Sequence, residues 1–301
     1  MKFLKILFGL YFALLILGCG KSEDIGIKAN KASKEKTKNL NVSIFIDLSD
    51  RVDTLKYSTN PQYYVRDKEC IVSVYDIFIK HITNKRLYDL CDKVNVYFDP
   101  LPDDDKITQI ASGLKIDLAE KSKDEILSAI NINRIQRNLD SLYSFVVSRS
   151  GHPALFQGSN IWRFFKDEIN EKCINIDPSY RNILIVFTDG YMYWPEDKRR
   201  EGNKYNYIER EYAHFNKFRN KDSLNKFSEN KYGFIPVQKD LSKLEIVVIN
   251  IAPDKKYPQD YDIIRQYWEE WFKGMNVKKY KIIKSGLPIN MEQEIKEFIV
   301  N

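Results

Sequence analysis

The sequence predicts an α/β fold in which a mostly parallel sheet is sandwiched between helices. The runs 42–46, 182–187 and 244–251 are apolar on both faces, as expected for strands that are covered on both sides. Segments with apolar residues at helical spacing lie between these runs. Strands that alternate with helices along a whole chain are typical of a parallel sheet with helical layers.

Residues 1–18 are typical of a secretory signal. Lys2 and Lys5 form a basic start, and the apolar run 6–17 is shorter than the roughly 20 residues that a transmembrane helix needs. The run ends in ILGC at 16–19, which resembles a bacterial lipobox, where cleavage leaves the cysteine as a lipid-bearing first residue. We therefore expect a lipid-anchored protein of the bacterial cell envelope, periplasmic or surface-exposed, with Cys19 lipidated. An uncleaved anchor, or a plain signal with an incidental cysteine, is the alternative.

Residues 19–40 are predicted to form a flexible tether. They are rich in Lys, Ser, Asn and Glu and contain little to bury, so they cannot offset the entropy of ordering. The α/β domain is therefore expected at 41–301, which is long enough for one large domain with a sizeable core.

The elements of this domain follow from hydrophobic periodicity and from turn residues. Strands are predicted at 42–46, 94–98, 182–187, 244–251 and 279–284, with an edge strand within 106–118. Helices are predicted at 70–82, 122–130, 139–147, 161–169, 261–273 and 291–300. Ser122 and Glu125 are spaced as a capping box, which marks a helix start. The sequence contains no internal repeat and no glycine-rich phosphate loop.

The segment 191–243 is a predicted insert between two strands. Connections of this length usually carry function or structure of their own, and this one leaves the carboxyl end of a strand. Tyr191, Tyr193 and Trp194 follow that strand closely and are expected to bind a ligand. The aromatic residues within 207–218 fit the buried stripe of an extra helix better than a binding surface.

Charge and cysteine content narrow the function classes. The formal net charge is +6, from 48 basic and 42 acidic residues. A net charge this small for the length of the chain does not predict a nucleic-acid partner. With Cys19 lipidated, Cys70, Cys91 and Cys173 remain, without CxxC or Cys/His spacing. This spacing implies no zinc site, and the chain is not a disulfide scaffold; free buried thiols are favoured over a single bridge.

Two of the predicted central strands end in carboxylates. Asp47 follows the run 42–46, and Asp189 comes two residues after the run 182–187. Ligands of open α/β sheets bind at the carboxyl ends of the strands. Carboxylates there could coordinate a hard cation such as Mg²⁺, Mn²⁺ or Ca²⁺, with the hydroxyls of Ser49 and Ser159 completing the set.

These residues carry a resemblance to a known family. DLSDR at 47–51, GSN at 158–160 and TDG at 188–190 resemble the three motifs of the von Willebrand factor A (vWA) domain. The resemblance extends from about residue 41 to the C-terminus. It implies a Rossmann-like three-layer sandwich and a metal-ion-dependent adhesion site, formed here by Asp47, Ser49, Ser159 and Asp189. The alternative, that these residues only cap strands and helices, stays open.

Arg51 departs from the family pattern, because it stands where the family has a second serine. A guanidinium has no lone pair for a metal. Arg51 either points away and leaves a weakened site, or it lies among Asp47, Asp50 and Asp189 and replaces the metal as an internal counter-ion. Both alternatives make the site a degenerate one, with Asp50 and Arg51 as modulating residues.

The resemblance implies a binding module that holds a protein or glycan partner outside the cytoplasm. His81, His152 and His214 stand near no visible catalytic partner in the sequence, and no nucleophile elbow is present, so we expect no enzyme. One alternative is a metal-assisted phosphoesterase that uses Asp47, Asp50 and Asp189, although a two-metal site needs more ligands than these. The other is a structural lipoprotein of envelope assembly.

Overall fold

The computed structural model describes residues 37–99, 105–156, 158–209 and 223–300. Within them, the main sheet has six strands: β1 Asn39–Ile46, β2 Lys93–Tyr97, β3 Ile116–Asp117, β4 Tyr180–Phe187, β8 Leu244–Ile251 and β9 Lys279–Lys284. Their order is β3-β2-β1-β4-β8-β9. Only β3 is antiparallel to its neighbour. The prediction of a mostly parallel central sheet is confirmed, and the strand order reverses between β1 and β4.

Helices cover both faces of the sheet. They are α1 Tyr63–Thr83, α2 Asp105–Leu114, α3 Lys123–Ala129, α4 Ile132–Val147, α5 Ile161–Arg163, α6 Ile169–Cys173, α7 Ser223–Glu229, α8 Asp260–Gly274 and α9 Pro288–Val300. A π-helical turn, Phe164–Glu168, joins α5 to α6. Short 3₁₀ turns lie at Asp50–Val52, Leu87–Asp89 and Pro153–Leu155. The helices predicted from periodicity are all present.

Two hydrophobic cores lie on opposite faces of the sheet. Side chains alternate along a strand, so Ile44 and Ile46 of β1 point to one face and Phe45 points to the other. The first core is completed by α1, α2, α4 and α9. The second is completed by the α5–α6 stretch, by α8 and by part of the insert. This double burial explains why the central strands are apolar throughout.

The edge of the sheet beside β2 differs from the prediction. In the segment 106–118 only Ile116 and Asp117 pair with β2, and most of the rest forms α2. Ile107, Ala111 and Leu114 are the buried residues of α2, and their spacing is helical. The capping box at α3 is confirmed: the Glu125 N–H donates to Ser122 Oγ, and the Ser122 N–H donates to a Glu125 carboxylate oxygen.

The N-terminal boundary of the sheet also differs slightly. β1 begins at Asn39, so two residues assigned to the tether belong to the sheet. Leu40 is buried, and its N–H donates to Asp92 Oδ1 at 2.6 Å. The predicted signal, Cys19 and the tether up to residue 36 lie outside the described residues.

The insert between β4 and β8 carries a small second sheet and a helix. Its strands are β5 Arg200–Glu201, β6 Lys204–Tyr205 and β7 Gly233–Phe234, in the order β5-β6-β7. Phe227 of α7 and Phe234 of β7 are buried in the second core. Residues 210–222, and with them most of the predicted aromatic stripe, lie outside the described part of the chain. No helix in the described ranges is both long and apolar enough to cross a lipid bilayer.

Candidate functional site

The candidate site lies at the carboxyl ends of β1 and β4, the neighbouring strands between which the strand order reverses. Ile46 pairs with Phe187, and the Asp47 N–H donates to the Phe187 carbonyl oxygen at 3.0 Å. The loop that carries Asp47 therefore starts beside the loop that carries Asp189. Such a switch point is where open α/β sheets bind their ligands.

Asp47 is a buried carboxylate held by two neutral donors. Its Oδ1 accepts the Ser49 N–H at 2.9 Å, and its Oδ2 accepts the Thr188 hydroxyl at 2.8 Å. Only 1% of the residue is exposed. No Lys or Arg side chain of the described residues hydrogen-bonds to this carboxylate, so its negative charge has no direct cationic partner among them.

The surroundings of Asp47 disfavour its charged form. Burial raises the pKa of Asp47 to about 6, the Arg51 guanidinium opposes the rise, and the Asp189 carboxylate adds to it. Two carboxylates therefore interact in a place from which water is largely excluded. A bound cation would favour the charged form of Asp47.

Asp189 is fixed by the turn that follows β4. It is buried, and its Oδ1 accepts the Tyr191 N–H at 3.0 Å. The next residue, Gly190, has φ +94°, and a Cβ there would lie 2.6 Å from Ile264 Cγ2. Glycine is required at this position by both backbone conformation and space, which accounts for the TDG motif locally.

The Ser159 loop crosses the carboxyl end of β1. Ser159 and Tyr193 exchange two backbone hydrogen bonds, at 2.9 and 3.3 Å, and the Asn160 N–H donates to the Asp99 carbonyl oxygen at 2.8 Å. Tyr193 follows β4 and Asp99 follows β2, and β1 lies between these two strands. The loop is therefore tied down on both sides of the position where Asp47 begins.

The Ser159 hydroxyl has no hydrogen-bond partner among the described residues, although it is buried. The preceding glycine allows the close approach of this loop, because a Cβ on Gly158 would lie 2.2 Å from the Tyr193 carbonyl oxygen. A buried hydroxyl without a partner is costly. A ligand that accepts its lone pairs, such as a cation, would remove that cost.

Among the described residues, Arg51 makes no hydrogen bond to the side chain of Asp47, Asp50 or Asp189. It is fully buried and donates to both carboxylate oxygens of Asp67 of α1, at 2.6 and 3.0 Å. It also donates to the backbone carbonyl of Asp47 at 3.1 Å. Arg51 therefore fastens the DLSDR loop to α1. Asp67 is its ion-pair partner, and its positive charge still acts on Asp47 and Asp189.

Asp67 is the centre of a buried polar network beneath the site. It accepts the side-chain amide of Asn250 at 2.9 Å, and the Tyr143 hydroxyl lies 3.5 Å from it. Asn250 belongs to β8 and Tyr143 to α4. Sequence reasoning missed Asp67, although it falls on the buried stripe of α1 with Tyr63, Cys70 and Val74. A carboxylate on such a stripe is the signal that indicates a buried partner.

The remaining predicted residues are distributed around this centre. Asp50 is paired with Lys56 near the surface and does not join the buried carboxylates. Ser49 is half-buried and precedes the 3₁₀ turn. Tyr191 is buried in the second core, whereas Tyr193 and Trp194 are half-buried. Lys198 Nζ lies 4.4 Å from the centre of the Tyr193 ring, on its face.

Two further functional candidates were not predicted. Thr188 supplies the hydroxyl that holds Asp47, and Asp99 is a buried carboxylate beyond the end of β2. Burial raises the pKa of Asp99, and its ion pair with Arg163 opposes this rise. Asp99 comes two residues after the end of β2, as Asp189 does after β4, so it too is a strand-end carboxylate.

Carboxylates and hydroxyls, the donor types present at this edge, are those that a hard cation prefers. In the described ranges no group of three or more His, Cys, Asp or Glu side chains is arranged for a metal. A cation here would rely on Asp47, Asp189 and hydroxyls such as Ser159, with water for the rest. Mg²⁺ is commonly bound through one or two carboxylates and several waters.

Comparison of the chain with protein-family models, with curated proteins and with solved structures finds no significant match. Its α/β architecture is compatible with a Rossmann-like sandwich.

Proposed function

We propose that the chain is a lipid-anchored binding module of the vWA type, which holds a protein or glycan partner outside the cytoplasm. The anchor is the lipidated Cys19, and the binding site is the carboxyl edge of the sheet. A divalent cation, Mg²⁺ or in its place Mn²⁺ or Ca²⁺, is held weakly by Asp47, Ser49, Ser159 and Asp189.

One observation carries this proposal: two interacting carboxylates, Asp47 and Asp189, are buried at the switch point of the sheet. The negative charge of Asp47, which accepts only from neutral donors among the described residues, is costly in a dry place unless something compensates it. Arg51 lies near, but its hydrogen bonds go to Asp67 and to a backbone carbonyl. Its charge still repels a cation, and this is the physical reason to expect weak binding.

Cation titration of the full chain tests the proposal. Mg²⁺, Mn²⁺ and Ca²⁺ should each be titrated while the melting temperature and a panel of phosphoester hydrolyses are followed. A cation at ten times its Kd stabilises the folded state by about 1.4 kcal/mol. Stabilisation without turnover supports the binding module, and turnover favours the phosphoesterase instead. No response to any of the three cations rules out the cation-dependent version.

Two variants make the titration specific. Asp189→Asn should abolish the stabilisation, because it removes one of the two buried carboxylates. Asp50→Asn is the matched control, since Asp50 lies in the same loop as Asp47 but pairs with Lys56 at the surface. Lipidation is tested separately, by palmitate labelling that should disappear in Cys19→Ala.

A further inference from the structure

The amino-terminal edge of the main sheet lies opposite the candidate site and has a different character. Parallel strands begin at one edge, so the loops that lead into β2, β4, β8 and β9 all lie there. The described chain also enters β1 at this edge, through Thr37 and Lys38.

Exposed apolar side chains stand at the tips of two of these loops. Ile176, in the loop before β4, is 81% exposed. Tyr88 and Leu87, in the loop before β2, are 74% and 50% exposed. β2 and β4 are the two neighbours of β1, so their starts lie about 10 Å apart. The Tyr180 hydroxyl donates to the Cys91 carbonyl at 3.0 Å and joins the two loops.

A basic cleft of about 360 Å³ lies beside Ile176, where β4, β8 and β9 begin. Cationic side chains outnumber carboxylates along it. The cations are Lys38, Arg181, Lys243, Lys278 and Lys279, and the carboxylates are Asp177 and Glu245. Glu245 pairs with both Arg181 and Lys279. Lys38, Lys243 and Lys278 form no ion pair with any described residue, so the cleft is positively charged.

We propose that this edge is a contact surface for an anionic lipid bilayer, a proposal that rests on the lipid anchor proposed above. Exposed Tyr and aliphatic residues ringed by Lys and Arg suit the boundary between headgroups and acyl chains. Lys38, Lys243 and Lys278 of the cleft hold a lipid phosphate, while exposed apolar side chains at positions 87, 88 and 176 enter the boundary layer.

The path of the chain agrees with this orientation. The segment from Cys19 to Lys38 spans at most about 65 Å when extended, and it joins the domain at this edge. An eight-residue strand such as β1 is about 27 Å long. The docked edge therefore holds the Asp47 site on the far side of the domain, where a partner from the surrounding medium can reach it.

Matched fluorescent labels on the two edges test the orientation. Leu55, in the loop that follows β1, is 74% exposed, the same fraction as Tyr88. Tyr88→Cys and Leu55→Cys are prepared in the full chain with Cys91→Ser, and each carries an environment-sensitive dye. The chain is placed in phosphatidylglycerol vesicles or phosphatidylcholine vesicles that contain spin-labelled lipid. Quenching should be severalfold stronger at position 88 than at 55, and only in the anionic vesicles.

A second label position and a charge-removing variant complete the test. The second label controls for an effect specific to position 88, and the variant tests the role of the lysines. Ile176→Cys should be quenched like Tyr88→Cys. Lys243→Gln with Lys278→Gln should weaken the docking about fivefold for each charge removed. Equal quenching at both edges, or quenching independent of lipid charge, overturns the proposal.

Flotation of the chain with the vesicles separates this proposal from that of the anchor. If Cys19→Ala still floats and position 88 is quenched, the contact surface binds lipid without the anchor, and the palmitate labelling described above decides the anchor separately. If the native chain floats while positions 88 and 55 remain equally unquenched, the anchor stands and the contact surface is wrong. A chain that does not float contradicts both.

Discussion

The two edges of the central sheet differ in the solvent exposure of their charged side chains. At the carboxyl edge Asp47, Arg51, Asp67 and Asp189 are all buried, whereas at the amino edge Lys38, Lys243 and Lys278 are in water. A buried charge must be compensated by its surroundings, so it constrains what the site binds. An exposed charge stays hydrated at little free-energy cost. Its electric field attracts large surfaces of opposite charge.

Two ion pairs illustrate the contrast. The Arg51–Asp67 pair has side chains with no exposure, and the Arg181–Glu245 pair has side chains exposed by 20% and 22%. Both join an arginine to a carboxylate at 2.6 Å. The same chemistry therefore occurs at both edges in different surroundings, and removal of one partner should have very different consequences.

Arg51→Ser should have the largest effect on stability. It leaves the Asp67 carboxylate buried without its cation, which costs about 3–5 kcal/mol in the free energy of unfolding. In Arg181→Ser the Glu245 carboxylate keeps Lys279 at 3.0 Å, so the loss should be about 1 kcal/mol. Urea unfolding of both variants measures the difference. Equal losses would contradict the contrast between the edges.

Asp47→Asn should remove a pH dependence of about 3 kcal/mol from the free energy of unfolding. The pKa of Asp47 is about 6 in the folded chain against an ordinary value of 3.8. Between these values the folded state binds more protons than the unfolded state, so the free energy of unfolding falls as pH rises from about 4 to 6. Cation-free urea unfolding across this range measures the slope, which the variant should lack.

Asp177 at the amino edge is the control for this slope. The Ser179 N–H and hydroxyl lower the pKa of its exposed carboxyl. Its contribution is therefore present above the ordinary pKa and is lost as pH falls, so Asp177→Asn should change the slope slightly in the opposite direction. A change of the same sign in both variants would show that the slope does not come from burial of Asp47.

Ser159→Ala should weaken cation binding without weakening the fold. The hydroxyl has no partner among the described residues, so its loss should leave the cation-free unfolding free energy unchanged or higher. The apparent Kd for Mg²⁺, taken from the melting temperature, should rise about tenfold or more. Ser159→Thr keeps the hydroxyl and should retain more of the response. Identical cation responses in native chain and Ser159→Ala would remove Ser159 from the ligand set.

Lys243→Gln combined with Lys278→Gln should have the smallest effect on stability. Both side chains are exposed and unpaired among the described residues, so the unfolding free energy should change by less than about 0.5 kcal/mol. A larger loss would show that these lysines serve the fold rather than a surface contact.

The strands of the fold could be predicted because burial on both faces leaves a clear pattern. β9 agrees with its predicted range, 279–284, and β8 with 244–251. Helix α1 begins at Tyr63, seven residues before the predicted start, because polar residues around Asp67 interrupt its apolar stripe. The edge strand β3 is short for a similar local reason, since helical spacing dominates residues 107–114.

The site was predictable only in part. Asp47 and Asp189 follow predicted strands, and parallel strands end at one edge, so their proximity could be expected. The partner of Arg51 could not, because Asp67 lies on α1, and no local spacing relates the two residues. Its other contacts come from β8 and α4, far along the chain.

Local sequence therefore determined the order of strands and helices, the positions of the strand-end carboxylates and the glycines of the two tight loops. These features depend on periodicity and on backbone conformation, which neighbouring residues control. Tertiary structure alone decided which charges are buried, that Arg51 pairs with Asp67, and that Ile176 and Tyr88 meet at one edge. Burial and ion pairing depend on residues that are distant in sequence. They are therefore determined only when the chain of 301 residues has folded.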